Sequence, residues 1–159
     1  MWPTAILVVL GSIIGLQQLY TEVVQPRDYK AMSANAVSMN MLVYRSAVES
    51  YVATKAAGYT ETATDNVVPD SSLSFPDWYV RNPVWTNKVI DGKVTVYATS
   101  RPAQVDISNA LAKATNGSRY VGVVDTSTNT IVSPIHGYTG IQIPAGLPSG
   151  VPVAHSKIK

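Results

Sequence analysis

The chain contains no cysteine, which excludes disulfides, thiolate metal sites, redox couples and cysteine nucleophiles. Charge is also scarce. Only 14% of residues are charged, and 12 basic against 10 acidic side chains leave a net +2, far from the basic stripe that neutralises phosphates. Nucleic acid is therefore not an expected partner. There is no glycine-rich phosphate loop, no G-x-S-x-G elbow and no H-E-x-x-H, so the common catalytic signatures are missing and no enzyme activity is expected. The chain has 2 histidines and 1 phenylalanine. His136 lies between Pro134 and Gly137 and reads as a turn residue, and His155 falls in a polar tail expected to be disordered. Neither suggests a catalytic base or a metal ligand, and no cofactor is implied. Asn116-Gly117-Ser118 has the form of a glycosylation sequon, but it reads more simply as a helix stop and turn.

One long apolar run is present. Trp2 to Leu16 is apolar apart from Thr4 and Ser12, and Gln17 to Tyr20 extend it toward the roughly 20 residues of a membrane span. Trp2 and Tyr20 are separated by about 27 Å at the helical rise, which suits aromatic rings at two interfaces. A cleaved signal peptide is the rival reading. Against it, no Lys or Arg precedes the run and no small-x-small site follows it. The expected organisation is a transmembrane anchor over 1–21 and one periplasmic α+β domain over 22–159, single-pass in the inner membrane.

Behind the anchor, Asp28 stands as an N-cap after Pro26 and opens a pattern that runs to Ala57, with Gly58 as its stop. Met32, Ala36, Met39, Val43, Ala47 and Tyr51 form one apolar stripe, and Val37, Met41, Tyr44, Val48 and Val52 form another. A long amphipathic helix with a broad face against a sheet is expected, its methionines serving as deformable filler. Arg45 and Glu49, one helical turn apart, are expected to form a solvated pair.

After a loop from Thr60 to Ser72, four aromatics, Phe75, Trp78, Tyr79 and Trp85, fall in a segment interrupted by Pro76 and Pro83, too proline-rich for a central strand. They are the candidate interaction residues, because rigidly held rings offer contact area at low entropic cost. The plainer alternative is that they cap the open end of the core. Asp91-Gly92 between Trp85–Ile90 and 93–99 marks a type I′ hairpin. Asp106 to Thr115 reads as a short capped helix stopped by Asn116-Gly117, and Ser118–Asp125 with Thr130–Ser133 as a second hairpin. The tail repeats Ile143-Pro-Ala-Gly and Leu147-Pro-Ser-Gly before Val151-Pro-Val. It reads as successive turns ending in an edge strand at 151–153. The expected fold is α+β: an N-terminal transmembrane helix, then a long amphipathic helix packed on an antiparallel sheet built from hairpins, with one further short helix.

Several landmarks together resemble the PilM family, the small PilM protein of plasmid-type type IVB (thin) pilus operons, distinct from the actin-like cytoplasmic protein of the same name. They are Asn35, Asn40-Met41, Tyr44-Arg45 and Tyr51, then Phe75-Pro76, Trp85-x-Asn87, Val96-Tyr97-Ala98, Gly122, Ser133-Pro134 and Gly137. The resemblance implies an inner-membrane component of the thin-pilus basal body or pilin transport apparatus. Its partners would be other pilus assembly proteins or pilin, with self-association open, and no catalytic residue is carried over. A minor pilin is the alternative, but the positions five after Gly11 and Gly15 are Leu16 and Tyr20, not the Glu of a processed prepilin. A periplasmic ligand-binding module would need a pocket with convergent polar groups, which the sequence does not display.

Overall fold

Two short turns organise most of the sheet. Asp91 and Gly92 both have positive φ, 51° and 69°, the geometry of a type I′ turn. They join β1 (Trp85–Ile90) to β2 (Lys93–Ala98) with Ile90 opposite Lys93. The turn between β3 (Val121–Asp125) and β4 (Thr130–Ser133) is held by Asp125, whose Oδ1 accepts from the Ser127 backbone N at 2.9 Å and from Ser127 Oγ at 2.6 Å. The computed structural model describes residues 33–62, 64–101 and 106–158. It shows a six-stranded antiparallel sheet, completed by β5 (Gly137–Gln142) and β6 (Pro152–Lys157), in the order β1-β2-β6-β3-β4-β5.

Two helices accompany the sheet: α1, helical over 33–53, and α2 (Ile107–Ala114). Asp106 caps α2 by accepting from Asn109 N at 3.3 Å, and Asn116 and Gly117 end it at φ 52° and 76°. The Gly117 N–H then donates to the Ala112 carbonyl at 2.7 Å, satisfying an acceptor that the helix end would leave open. Strand alternation and register put Trp85, Asn87, Val89, Val94, Val96, Ala154 and Val121 on one face. Apart from Asn87, these residues form one core with Met41, Tyr44, Val48 and Val52 of α1 and with Ile107 and Leu111 of α2. The opposite face carries Lys88, Thr95, Tyr97, Val153 and His155. The 143–151 loop crosses it, buries Ile143 and Leu147, and is tied down by Ile143 N to Asn129 O at 2.9 Å and Gly150 N to Val124 O at 2.9 Å.

The expected architecture is corrected by these observations. The 1–21 stretch lies outside the described residues, and among the described residues no helix is long and apolar enough to cross a membrane. A long amphipathic helix over 28–57 with a broad apolar face is not supported. The described helical residues are 33–53, and Ala36 and Met39 of the expected stripe are exposed. The buried residues of α1 are Ala34, Ser38, Met41, Tyr44, Ala47, Val48 and Val52, a narrower face that includes a serine. Its end is set by i→i+3 bonding, Thr54 N to Tyr51 O at 3.1 Å and Lys55 N to Val52 O at 2.9 Å, which tightens the last turn before Gly58 is reached.

Nor is the sheet built from hairpins alone. The expected edge strand at the C-terminus is β6, which sits in the middle and joins the β1–β2 hairpin to β3. Pro152 is tolerated because it is the first residue of the strand, where its missing N–H costs little. His155 is accordingly not in a disordered tail: it is 5% exposed, with Nδ1 2.9 Å from Thr95 Oγ1. β5 was not anticipated either, and the sequence marked only a turn at His136, between Pro134 and Gly137. In the structure Gly137 and Gly140 take φ 63° and 69° within a strand whose pairing with β4 shifts register between Thr130 and Val132.

Candidate interaction site

The proline-bearing segment 73–85 is not a strand, yet almost every turn of it is fixed by a side chain. Arg81 is the centre. Its Nε lies 2.7 Å from Asp70 Oδ2, its Nη2 donates to the Trp85 carbonyl at 2.6 Å, and its guanidinium stacks 4.3 Å over the Tyr44 ring. Tyr44, fully buried on α1, donates through its hydroxyl to Asp70 Oδ1 at 3.1 Å and accepts from Asn87 Nδ2 at 2.9 Å. Burial pushes the Tyr44 phenol up to about 12, so it keeps its proton and remains a donor at any physiological pH. Asn87 points into the core from β1 but is satisfied, because its amide pairs with Val68 in both directions, Oδ1 accepting from N at 2.9 Å and Nδ2 donating to O at 3.0 Å. This pairing buries Val68 within a loop that otherwise reads as polar.

Asn40, one turn before Tyr44, ties the other end. Its Nδ2 donates to the Val80 carbonyl at 2.9 Å, while Oδ1 accepts from Trp85 Nε1 at 2.9 Å and from the Tyr79 hydroxyl at 3.2 Å. One amide thus pins three residues of the segment.

The four sequence-derived candidates occupy three different situations. Trp85 is 1% exposed and belongs to the core. Phe75 and Tyr79 are half-buried and stacked on one another, with centroids 4.7 Å apart at 16°, and Phe75 lies 6.0 Å from the Tyr44 ring. Trp78 meets the Tyr79 ring edge-on at 6.5 Å but is 71% exposed. Val80, which the sequence did not single out, is 80% exposed. Along 78–81, outward Trp78 and Val80 alternate with inward-tied Tyr79 and Arg81, a two-residue period that was there to be read between the two prolines. Trp78 and Val80 are the exposed large apolar side chains of this arrangement. What it offers is an apolar contact surface on a backbone already ordered.

The histidine next to Ser133 does not form a nucleophile–base pair. Ser133 Oγ accepts from the backbone N of Ile135 and of His136, both at 3.4 Å, while His136 Nε2 lies 2.7 Å from the Gly117 carbonyl.

Comparison with known proteins follows the same fold. A crystal structure of a protein bearing the name PilM from Escherichia coli B7A superimposes with a TM-score of 0.51 at 16% identity, covering 79% of this chain and 92% of that one. A second crystal structure, of a protein bearing the name pilM from Pseudomonas aeruginosa 2192, gives a TM-score of 0.41 at 22% identity, covering 79% and 97%. At 16% identity the likeness to the Escherichia coli protein concerns the fold alone. No curated protein sequence matches the chain. The family model for PilM matches residues 8–155, nearly the whole length, and the chain therefore belongs to the PilM family of pilus-related systems.

Proposed function

We propose that this protein is a non-catalytic component of a type IV (thin) pilus assembly or pilin transport apparatus, and that it acts by docking other pilus assembly proteins or pilin on the Trp78–Val80 surface. The observation that carries this reading is the exposure of Trp78 and Val80 on a segment whose Tyr79 and Arg81 are tied to Asn40 and Asp70. A large ring kept in water on an ordered backbone loses little entropy when a partner covers it, which is how aromatic hot spots gain their weight. The apolar stretch from Trp2 to Leu16 tethers the protein at the inner membrane, with the C-terminal domain in the periplasm.

Changing Trp78 to Ala in the full chain is the direct test. Pilus assembly and co-purification of pilus components should fall sharply, while stability stays within about 0.5 kcal/mol of the parent, as for other surface changes. Full assembly and co-purification with a folded Trp78→Ala protein would remove this surface from consideration. The location is tested separately by fusing alkaline phosphatase to the C-terminus; an inactive fusion contradicts a periplasmic domain.

A further inference from the structure

Where the 143–151 loop begins its crossing of the sheet it leaves a cavity of about 160 Å³, whose lining includes Ile90, Lys93, Ile143, Pro144 and His155. Ladder pairing puts the three strand residues on one face, the face opposite α1. Ile90 opposes Lys93 across β1 and β2, His155 opposes Thr95 across β2 and β6, and Lys93 and Thr95 are alternate residues of β2. The loop above them is fixed at Ile143 N, which donates to Asn129 O at 2.9 Å, and at Ala145 O, which accepts from Lys88 Nζ at 3.4 Å. The cavity is therefore formed in advance of any ligand.

Two groups in this lining have no use within the fold. His155 is buried, and burial keeps its ring uncharged at neutral pH, so it carries one N–H and one lone-pair nitrogen. Nδ1 lies 2.9 Å from Oγ1 of Thr95, a fully buried hydroxyl with no other partner among the described residues. If Nδ1 kept the proton it would donate to Oγ1, and the Thr95 proton and the Nε2 lone pair would both be stranded. If Thr95 donates to Nδ1 instead, only the Nε2–H is left without a partner among the described residues. Buried polar groups pair wherever they can, so the second arrangement is the one the hydrogen bonding supports. The Tyr120 ring, stacked 6.4 Å from the imidazole at 22°, holds the ring plane. The second group is Lys93, which forms no ion pair among the described residues and lies close enough for its charge to act on His155.

We infer that this cavity binds a carboxylate carried on a small apolar body, the carboxylate between Lys93 Nζ and His155 Nε2–H and the body against Ile90, Ile143 and Pro144. A carboxylate supplies both the acceptor that the imidazole lacks and the counter-charge that Lys93 lacks. At about 30 Å³ for each water, the cavity has room for roughly five waters. That volume suits a body of about four or five carbons. A short free acid and the C-terminal residue of a polypeptide both present such a group. The site lies on the sheet face opposite α1 and does not depend on the Trp78–Val80 surface.

The test is NMR of the full chain, whose 2 histidines give two sets of imidazole signals, assigned with His136→Gln. Isovalerate and N-acetyl-leucine are titrated in parallel, with isovaleramide as the uncharged analogue of the same shape. Saturable movement of the His155 signals by at least one acid is expected, with His136 unmoved. The amide should bind at least about tenfold more weakly, the scale of a lost charge-assisted hydrogen bond. Lys93→Gln, at an exposed position, should weaken the acid about tenfold or more, and Lys55→Gln, outside the cavity lining, should leave it unchanged. Tighter binding of isovalerate identifies a small-molecule site, and tighter binding of N-acetyl-leucine identifies capture of a chain terminus. No saturable movement of His155 with either acid overturns the inference. So does an amide that binds as tightly as the acid, or unchanged affinity in a Lys93→Gln protein whose thermal melt shows it folded.

Discussion

Acidification should destabilise this protein over two separate pH ranges, and His155 accounts for the first. Its ring is 5% exposed, lies 2.9 Å from Thr95 Oγ1 and faces Lys93 and Lys157 across and along the strands. Burial, with a smaller contribution from the Lys93 charge, pushes its pKa down from 6.5 to about 4. The unfolded chain therefore takes up this proton first. Stability is complete above the unfolded value, falls as the pH drops from about 6.5 to about 4, and is unaffected by this group below that. At about 1.4 kcal/mol per tenfold change in proton affinity, the fall from 6.5 to about 4 gives a loss of roughly 3–4 kcal/mol, a large part of the stability of a small domain. The carboxyls of Asp106 and Asp125 are held below their ordinary 3.8 by hydrogen bonds from Ser108 and Ser127 first of all. Their contribution is present above that value and lost only as the pH falls further, so it lies outside the histidine window. Urea unfolding in steps between about pH 7.5 and about pH 4.5 reads the effect directly. The wild-type midpoint should decline through this range, and a His155→Gln variant, which keeps a polar partner for Thr95, should be flat. Equal wild-type stability at both ends, or an equally steep decline in His155→Gln, would refute the reasoning.

Two further substitutions probe the packing. Trp85→Ala empties a fully buried site and removes one of the two donors to Asn40 Oδ1, and it should cost about 3–5 kcal/mol in denaturant unfolding; a loss below about 1 kcal/mol would mean that the ring is not core. Gly122→Ala would set a methyl 2.2 Å from the Val132 carbonyl oxygen. Because the obstacle is backbone, β3 and β4 must move apart, and a cost of about 1–3 kcal/mol is expected, visible as a lowered melting temperature.

Where local chemistry decides structure, the sequence was readable. Asp91-Gly92, the Asp106 cap and the Asn116-Gly117 stop each work through the backbone conformation or hydrogen bond of one or two residues, and each lies where its residues indicate. What was not readable was settled at long range. Pro152-Val153-Ala154 looks like a turn followed by a frayed end, and only the vacancy between β2 and β3, two strands far apart in sequence, makes it a central strand. The wide stripe assigned to α1 fails for a related reason. Periodicity counts every apolar residue, but the sheet covers only the side that carries Met41, Tyr44 and Val48 and leaves Met39 in water. Of the candidate site, the aromatic cluster could be read from composition and the prolines. The division between Trp85 inside and Trp78 outside could not, because it depends on Asn40, which comes from another element.

The central position of β6 also sets an order of events in time. Until Pro152–Lys157 is available, the chain holds two separate groups of strands, β1–β2 and β3–β4–β5, with no ladder between them. Hairpins of this kind are marginal by themselves in water, and the contacts that unite them span the whole domain, which makes their formation slow. The two groups therefore share no ladder until Pro152–Lys157 docks between β2 and β3.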